Sequence, residues 1–185
     1  MSKEGILPFT VALAWLAVCS SVAQGEVGWV RHEPGTLFPN DAIIAAKEGD
    51  KALYVCRAQL QDGVHPGATT GGPCLVPQKG KVEKVSEYEI AVGRSYSWHT
   101  GDWEDAVIAG RQRQASDLYV CKARVASSAG QNTIAVGKAY QSGFHAGHCY
   151  VAFEESEVDV TSGFAVLCSS METGRDKQHC PDQRQ

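Results

Sequence analysis

Apolar and polar positions alternate in short runs along most of the chain, and Gly, Pro, Asp and Asn interrupt the runs at close intervals. Over 53–60, Tyr54, Cys56, Ala58 and Leu60 fall on one side and Leu53, Val55, Arg57 and Gln59 on the other, because side chains of a strand alternate with period two. The alternation returns with Tyr119, Cys121, Ala123 and Val125 set against Leu118, Val120, Lys122 and Arg124. One face is apolar throughout, and the other turns from apolar to basic partway along. Past residue 25, no window of ten or more residues keeps a 3.6-residue period, so the pattern predicts strands and almost no helix. Gln61-Asp62-Gly63 and Gln78-Lys79-Gly80 read as hairpin turns.

The two similar strands belong to a longer internal repeat. Asp41-Ala-Ile-Ile-Ala-Ala-Lys47 lies over Asp105-Ala-Val-Ile-Ala-Gly-Arg111, and Leu53-Tyr-Val-Cys-Arg-Ala58 over Leu118-Tyr-Val-Cys-Lys-Ala123, at offsets of 64 and 65. Farther on, Cys74-Leu-Val76 matches Cys149-Tyr-Val151 at an offset of 75, and Tyr88–Val92 matches Phe164–Cys168 at 76. The second copy therefore holds about ten extra residues between Ala123 and Cys149. From Ser127 onward their composition is that of a surface loop, whose lengthening should leave the core unchanged. The expectation is an all-β fold: two tandem, pseudo-twofold-related antiparallel β-rich repeats, 26–95 and 96–168, packed into one compact body. A polar tail, 169–185, follows. Units of this size bury a marginal core alone, which favours packing against each other and cross-linking.

The first 25 residues break the pattern. Lys3 precedes an apolar run from Ile6 to Cys19, followed by small residues at Ser20, Ser21, Ala23 and Gly25, the layout of a secretory signal peptide cleaved after Ala23 or Gly25. The run is shorter than the roughly 20 residues that span a bilayer. Cleavage removes Cys19, so seven cysteines become six, an even set entering an oxidising compartment. Six cysteines allow fifteen connectivities, and the repeat favours Cys56–Cys74, Cys121–Cys149 and, by default, Cys168–Cys180.

Composition removes several classes of function. The net charge is −4, with 43% hydrophobic and 21% charged residues, and no Lys/Arg run points to nucleic acid or an anionic membrane. No membrane insertion is expected. There is no Asn-x-Ser/Thr acceptor, Gly-x-Ser-x-Gly elbow or Walker loop, and Thr69-Thr-Gly-Gly-Pro73 lacks the Lys-Ser/Thr that holds phosphate. His145-Ala-Gly-His148-Cys149 lacks the helix of a zinc-protease motif, and Cys149 is expected to be oxidised. The chain reads as a non-enzyme without metal or cofactor.

Trp29, Pro39-Asn-Asp-Ala-Ile43, Leu53–Ala58, Pro66-Gly67, Cys74 and Tyr88-Glu-Ile90 form an ordered series. It returns as Trp98, Asp105–Gly110, Leu118–Ala123, Gly137-Lys138, Cys149 and Phe164. The series resembles the DM-nine repeat family, found also at the N-terminus of the fish toxins called natterins. The resemblance implies tandem β-rich repeats and mannose-type carbohydrate recognition in innate immunity. It further implies that an acid in the loop before the Leu-Tyr-Val strand and the lysine of a Pro-Gly-Lys turn hold the sugar. The first copy offers Asp50 but has Ala68 in place of the lysine; the second offers Lys138, with Asp117 next to a loop lacking the matching acid. Asp50 and Lys138 could meet across the pseudo-twofold.

One Asp with one Lys can span a diol, since a carboxylate accepts from hydroxyls and an ammonium donates to them. Asp50 and Lys51 also read as a solvated turn. Trp29 and Trp98 read as core aromatics, while Trp103, with no counterpart in the first copy, is the better stacking face. Arg57 and Lys122 hold one strand position in both copies, either pairing with an acid such as Glu89 or lining a groove between the copies. The carbohydrate-binding set is therefore Asp50, Lys51, Lys138, Asp117 and Trp103. The protein expected is a secreted, extracellular lectin for glycans on microbial or cell surfaces. Two sites, or a homodimer, would add avidity. The alternative is a disulfide-stapled extracellular structural or interaction protein with a decayed sugar site. A pore-forming role is disfavoured, since natterin-type toxins carry a separate pore-forming domain.

Overall fold

The structure is a computed structural model and describes residues 26–48, 50–113, 116–127 and 130–170. The expected signal peptide, 1–25, and Cys180 in the tail lie outside the described residues. The described chain is all-β, with no helix among these residues. Its first half comprises β1 (Gly28–His32), β2 (Ile44–Glu48), β3 (Lys51–Leu60), β4 (Gly63–Thr69), β5 (Cys74–Gln78), β6 (Lys81–Val85) and β7 (Tyr88–Val92). The second half repeats the order as β8 (Tyr96–His99), β9 (Ile108–Gln112), β10 (Asp117–Ala126), β11 (Asn132–Ala139), β12 (Cys149–Phe153), β13 (Ser156–Val160) and β14 (Ala165–Ser169).

Pairing is antiparallel and follows one scheme in both halves. β3 pairs with β2, β4 and β7, and β10 with β9, β11 and β14. Both turns expected from the sequence form, at 61–62 and at 79–80. Lys79 (φ 52°) and Gly80 (φ 84°) both take the left-handed region, as a two-residue turn between twisted strands requires.

The halves share one sheet. Taken in order, β4, β5, β6, β13, β12, β11, β10 and β9 each pair with the next, and β9 returns to β4, so eight strands close on themselves. The circuit passes between the halves at Ser156↔Lys81 and at Gly63↔Gln112 with Val64↔Arg111. Closure leaves no free edge along those strands.

Burial follows the two faces read from the sequence. Cys56, Ala58, Cys74, Val76, Tyr88 and Ile90 form a cluster within the first half. Cys121, Ala123, Cys149, Val151, Val166 and Cys168 form the corresponding cluster in the second. A third cluster draws on both halves, with Ile43, Ala45, Val55 and Ala91 meeting Val107, Ala109, Val120 and Leu167. Trp29 and Trp98 pack against this shared core, as expected of core aromatics.

Two disulfides staple the clusters, Cys56–Cys74 and Cys121–Cys149. The third expected bridge is corrected for Cys168, which is a free thiol only 3% exposed. Its sulfur faces the apolar cluster of the second half and donates to Val166 O at 3.8 Å. Burial, with Asp102 and Asp105 nearby, pushes the thiol up to about 11.

Where β9 meets β4 the backbones touch so closely that a Cβ on Gly110 would fall on the carbonyl of Val64. Gly110→Ala should therefore cost about 1–3 kcal/mol or more by overpacking the closure. Gly72→Ala, where an added Cβ meets nothing within 4 Å, should stay within about 0.5 kcal/mol of the parent. Urea unfolding of the two variants measures the difference.

Candidate functional site

Ladder registry skips one residue at the same place in each half. Ile44 pairs with Tyr54 and Ala46 with Leu53, leaving Ala45 as an extra residue; Ile108 and Gly110 likewise flank Ala109. A bulge takes its extra residue out of the ladder, so its carbonyl needs another donor. A cation of the opposite half provides one. Arg57 Nη1 donates to Ala109 O at 3.3 Å, and Lys122 Nζ to Ala45 O at 2.9 Å. Each cation also stands 4.4 Å from the ring centre of a tryptophan in its own half, Arg57 over Trp29 and Lys122 over Trp98. Arg57 further donates to Glu89 Oε2 at 2.7 Å, the partner anticipated from the sequence. Lys122 has alanine at the position of Glu89, and burial lowers its affinity for a proton.

A third cation crosses farther along. Lys138, 3% exposed, lies on β11 and donates to Pro77 O at 2.7 Å and Gln78 Oε1 at 2.7 Å, both in the first half. Its remaining partner is Glu157 Oε1 at 3.0 Å, and Glu157 Oε2 accepts Gly80 N at 2.7 Å. An ammonium has three protons, and all three are engaged. Burial pulls the Lys138 pKa down, opposed by the charge and hydrogen bond of Glu157.

The network continues through Gln78 Nε2, which donates to Asp62 Oδ2 at 2.6 Å, and Gln112 Nε2, which donates to the same oxygen at 2.9 Å. His65, fully buried, meets Asp62 Oδ1 at 3.1 Å through Nε2, while its Nδ1 has no partner. Burial, reinforced by the Lys138 charge, holds His65 below its ordinary 6.5 despite the pull of Asp62. For Asp62, burial raises the pKa, but the Gln112 hydrogen bond and the charges of His65 and Lys79 outweigh it and leave it lowered.

Above this floor opens a cleft of about 210 Å³ lined by Gln78, Lys79, Gln112, Lys138, Tyr140, His145, Tyr150 and Glu157. Tyr140 and Tyr150 meet edge to face at 5.9 Å, and His145 Nδ1 lies 2.6 Å from Tyr150 Oη. Tyr140, pushed up to about 12 by burial and then by Glu157, keeps its proton at neutral pH. Lys79 is 74% exposed, with Asp62 at 3.9 Å its nearest acid, so its ammonium can donate outward.

The remaining sequence-derived residues stand elsewhere. Asp50 and Lys51 are exposed at the β2–β3 turn, and Asp50 is not among the partners of Lys138. Asp117 binds Arg111 at 2.7 Å, beside a shallow polar pocket with Ser116, Tyr119, Gln141 and Ser142. Trp103 packs edge-on against Tyr119 and Phe164. It does have a counterpart: Phe38 stacks at 3.8 Å on Tyr54, the equivalent of Tyr119. Of the expected set, only Lys138 reaches the cleft. Sequence reading missed Tyr140, Tyr150, Gln112 and Glu157, and took His145 only as a discounted metal ligand. Among the described residues no three His, Cys, Asp or Glu gather as a metal site.

Fold and cleft together define an all-β protein of two equivalent halves with a polar, aromatic-rimmed cleft at their seam. A family model for the DM9 repeat matches residues 47–160, and the chain belongs to that family. Among solved structures it is similar to the nematode sperm cell motility protein MFP2B, with a TM-score of 0.57 and 12% identity over 84% of this chain and 48% of that one. The chain thus spans about half the length of that protein, and the likeness concerns the fold. No curated protein matches the sequence.

Lys138→Met leaves Glu157 without its cation and should cost about 3–5 kcal/mol in urea unfolding. The double variant with Glu157→Gln should lose less than the sum of the two single variants, by about 0.5–3 kcal/mol. His65 adds a pH dependence. Because its folded pKa lies below 6.5, the unfolded chain binds more protons between those values, and stability falls as pH drops through that window. Asp62, lowered from 3.8, adds a loss as pH falls from there through its folded pKa. Unfolding free energies from pH 7.5 to 5 should show a shallower slope in His65→Asn.

Proposed function

We propose that the protein binds carbohydrate, with the cleft over Lys138 as its sugar site. The observation that carries this is the cleft's make-up: three aromatic rings around hydrogen-bonding groups already fixed by one another. A pyranose presents an apolar C–H face and a girdle of hydroxyls, and needs both kinds of surface. Lys79 supplies a free donor. Glu157, Gln78 and Gln112 hold oxygen atoms with remaining lone pairs, and the Tyr140 and Tyr150 hydroxyls can do either. Lys138 acts from below by orienting Glu157 and Gln78, so the lysine of the family's motif serves as a positioning residue.

The DM9 family's association with carbohydrate binding supports this reading, and it favours binding over catalysis. In its full form the proposal is a secreted lectin for mannose-type glycans on microbial or cell surfaces, acting in innate recognition. The two disulfides accord with an extracellular setting. The first half has Ala68 and Thr70 where the second has Lys138 and Tyr140, so among the described residues it does not repeat this cleft. Avidity would then come from a homodimer or clustering.

A second reading, an extracellular interaction protein whose sugar site has decayed, is favoured by the full engagement of Lys138. A glycan array with and without EDTA separates the two. The lectin reading expects binding of mannose-type glycans that survives EDTA, and a loss of about tenfold or more in Tyr150→Ala, or about 1.4 kcal/mol. Failure to bind any mannose-, galactose- or glucose-type glycan would sink it.

A further inference from the structure

The ten extra residues of the second copy do not form a single loop. Cys56 pairs with Gly67 as Cys121 pairs with Gly137, so the offset grows from 65 at the cysteines to 70 at the glycines, and reaches 75 at Cys74 and Cys149. Half of the insertion thus lengthens the β10–β11 hairpin. The other five residues fall between β11 and β12, where Tyr140–His148 replaces the short Thr70–Pro73 connection.

That second part is folded upon itself. Ala146 N donates to Gly143 O at 3.1 Å, Gly147 N to Tyr140 O at 3.0 Å and His148 N to His145 O at 3.1 Å. Gly143 (φ 85°) and Gly147 (φ 78°) take the left-handed turns this requires. The segment sets rings in a series leading from the cleft to solvent. Tyr150 touches Tyr140, His145 stands edge-on to Tyr150 at 5.4 Å, and Phe144 stands edge-on to His145 at 5.2 Å. His148 lies nearly parallel to Tyr150 at 5.9 Å and is held by Asp159 at 3.0 Å. Among the described residues the large exposed hydrophobics are Val30, Leu37, Ile108 and Phe144. Phe144 is the aromatic one of these, 96% exposed, and it stands beside the cleft.

We infer that the Tyr140–His148 segment is a second subsite, and that the ligand is an oligosaccharide of at least two linked pyranoses. The inference rests on the carbohydrate reading. One residue occupies the cleft, and the next lays its apolar face against Phe144 with His148 at its margin. Edge-on packing holds Phe144 while leaving its ring faces open, and the internally hydrogen-bonded loop limits the ordering cost of binding. The ledge exists only in the copy that carries the cleft, and it continues the cleft's own line of rings. Selectivity for chain length would therefore reside in five inserted residues.

Calorimetric titration with methyl α-mannoside, α-linked mannobiose and mannotriose tests this, using the parent, Phe144→Ala and the Phe144→Ala/His148→Ala double variant. The expected result is affinity for the disaccharide about tenfold or more above the monosaccharide in the parent. In both variants that ratio should fall toward one while monosaccharide affinity and far-ultraviolet circular dichroism stay unchanged. Equal affinity for mono- and disaccharide in the parent, or an unchanged ratio in the double variant, overturns the subsite and leaves the cleft standing. A ratio unmoved by Phe144→Ala together with loss of a dimer in sedimentation assigns Phe144 to contact with a second copy, and also overturns it. Absence of binding to all three sugars overturns the subsite and the mannose-type specificity of the cleft, and the glycan array then decides the carbohydrate reading itself.

Discussion

Donation from a side-chain cation of one half to a main-chain carbonyl of the other is the interaction on which this architecture depends. Arg57, Lys122 and Lys138 each make it, to Ala109, Ala45 and Pro77. Two of these carbonyls belong to bulge residues that the ladder cannot serve. Apolar contact alone could join the halves, but it would leave those oxygens buried and unmet, at a cost of about 1–3 kcal/mol each. A long basic side chain meets the need because its stem packs against apolar surface while its head reaches a polar target. The tryptophans beneath Arg57 and Lys122 offset part of the desolvation.

At Lys138 the same interaction acquires a second consequence. The ammonium is too buried to stand alone, so it draws Glu157 and Gln78 around it, and these in turn fix Asp62, Gln112 and the Gly80 turn. Groups immobilised in this way form the cleft floor without depending on a ligand. The first half, with Ala68 at the equivalent position, has no need of such a retinue and builds no comparable floor. The two halves share a backbone scheme, and one lysine makes them chemically unequal.

Much of the fold could be read from local pattern. Period-two alternation, the two turns and the repeat register located strands, and the repeat paired Cys56 with Cys74 and Cys121 with Cys149. Arg57 and Glu89 could be matched because adjacent strands of one half bring them together. The site was harder to see because its parts are distant in sequence: Lys138 and Pro77 are 61 residues apart, and Gln78-Lys79 signals only a turn. The offset between the copies indicated that residues had been inserted but could not divide them between two connections, and so Tyr140 and Tyr150 passed unnoticed. Phe38 escaped as the partner of Trp103 because the two differ in residue type and in position along their loops. No sequence pattern marks Ala45 or Ala109 as bulge residues, since alanine there differs in nothing from its neighbours.

Both disulfides close within a half, and the two halves are joined in the described chain by one covalent connection, Gly93-Arg94-Ser95 between β7 and β8. Everything else that passes between them is reversible: ladder pairs, the three cations that meet main-chain carbonyls, further polar contacts such as Lys84 with Glu155 and Gln112 with Asp62, and a shared apolar core. The molecule is in this sense a dimer whose subunits happen to be consecutive on one chain. Severing the connector would turn an intramolecular seam into an interface governed by mass action, and the cleft, which takes Gln78 and Lys79 from one side and the rest from the other, would become a composite of two polypeptides.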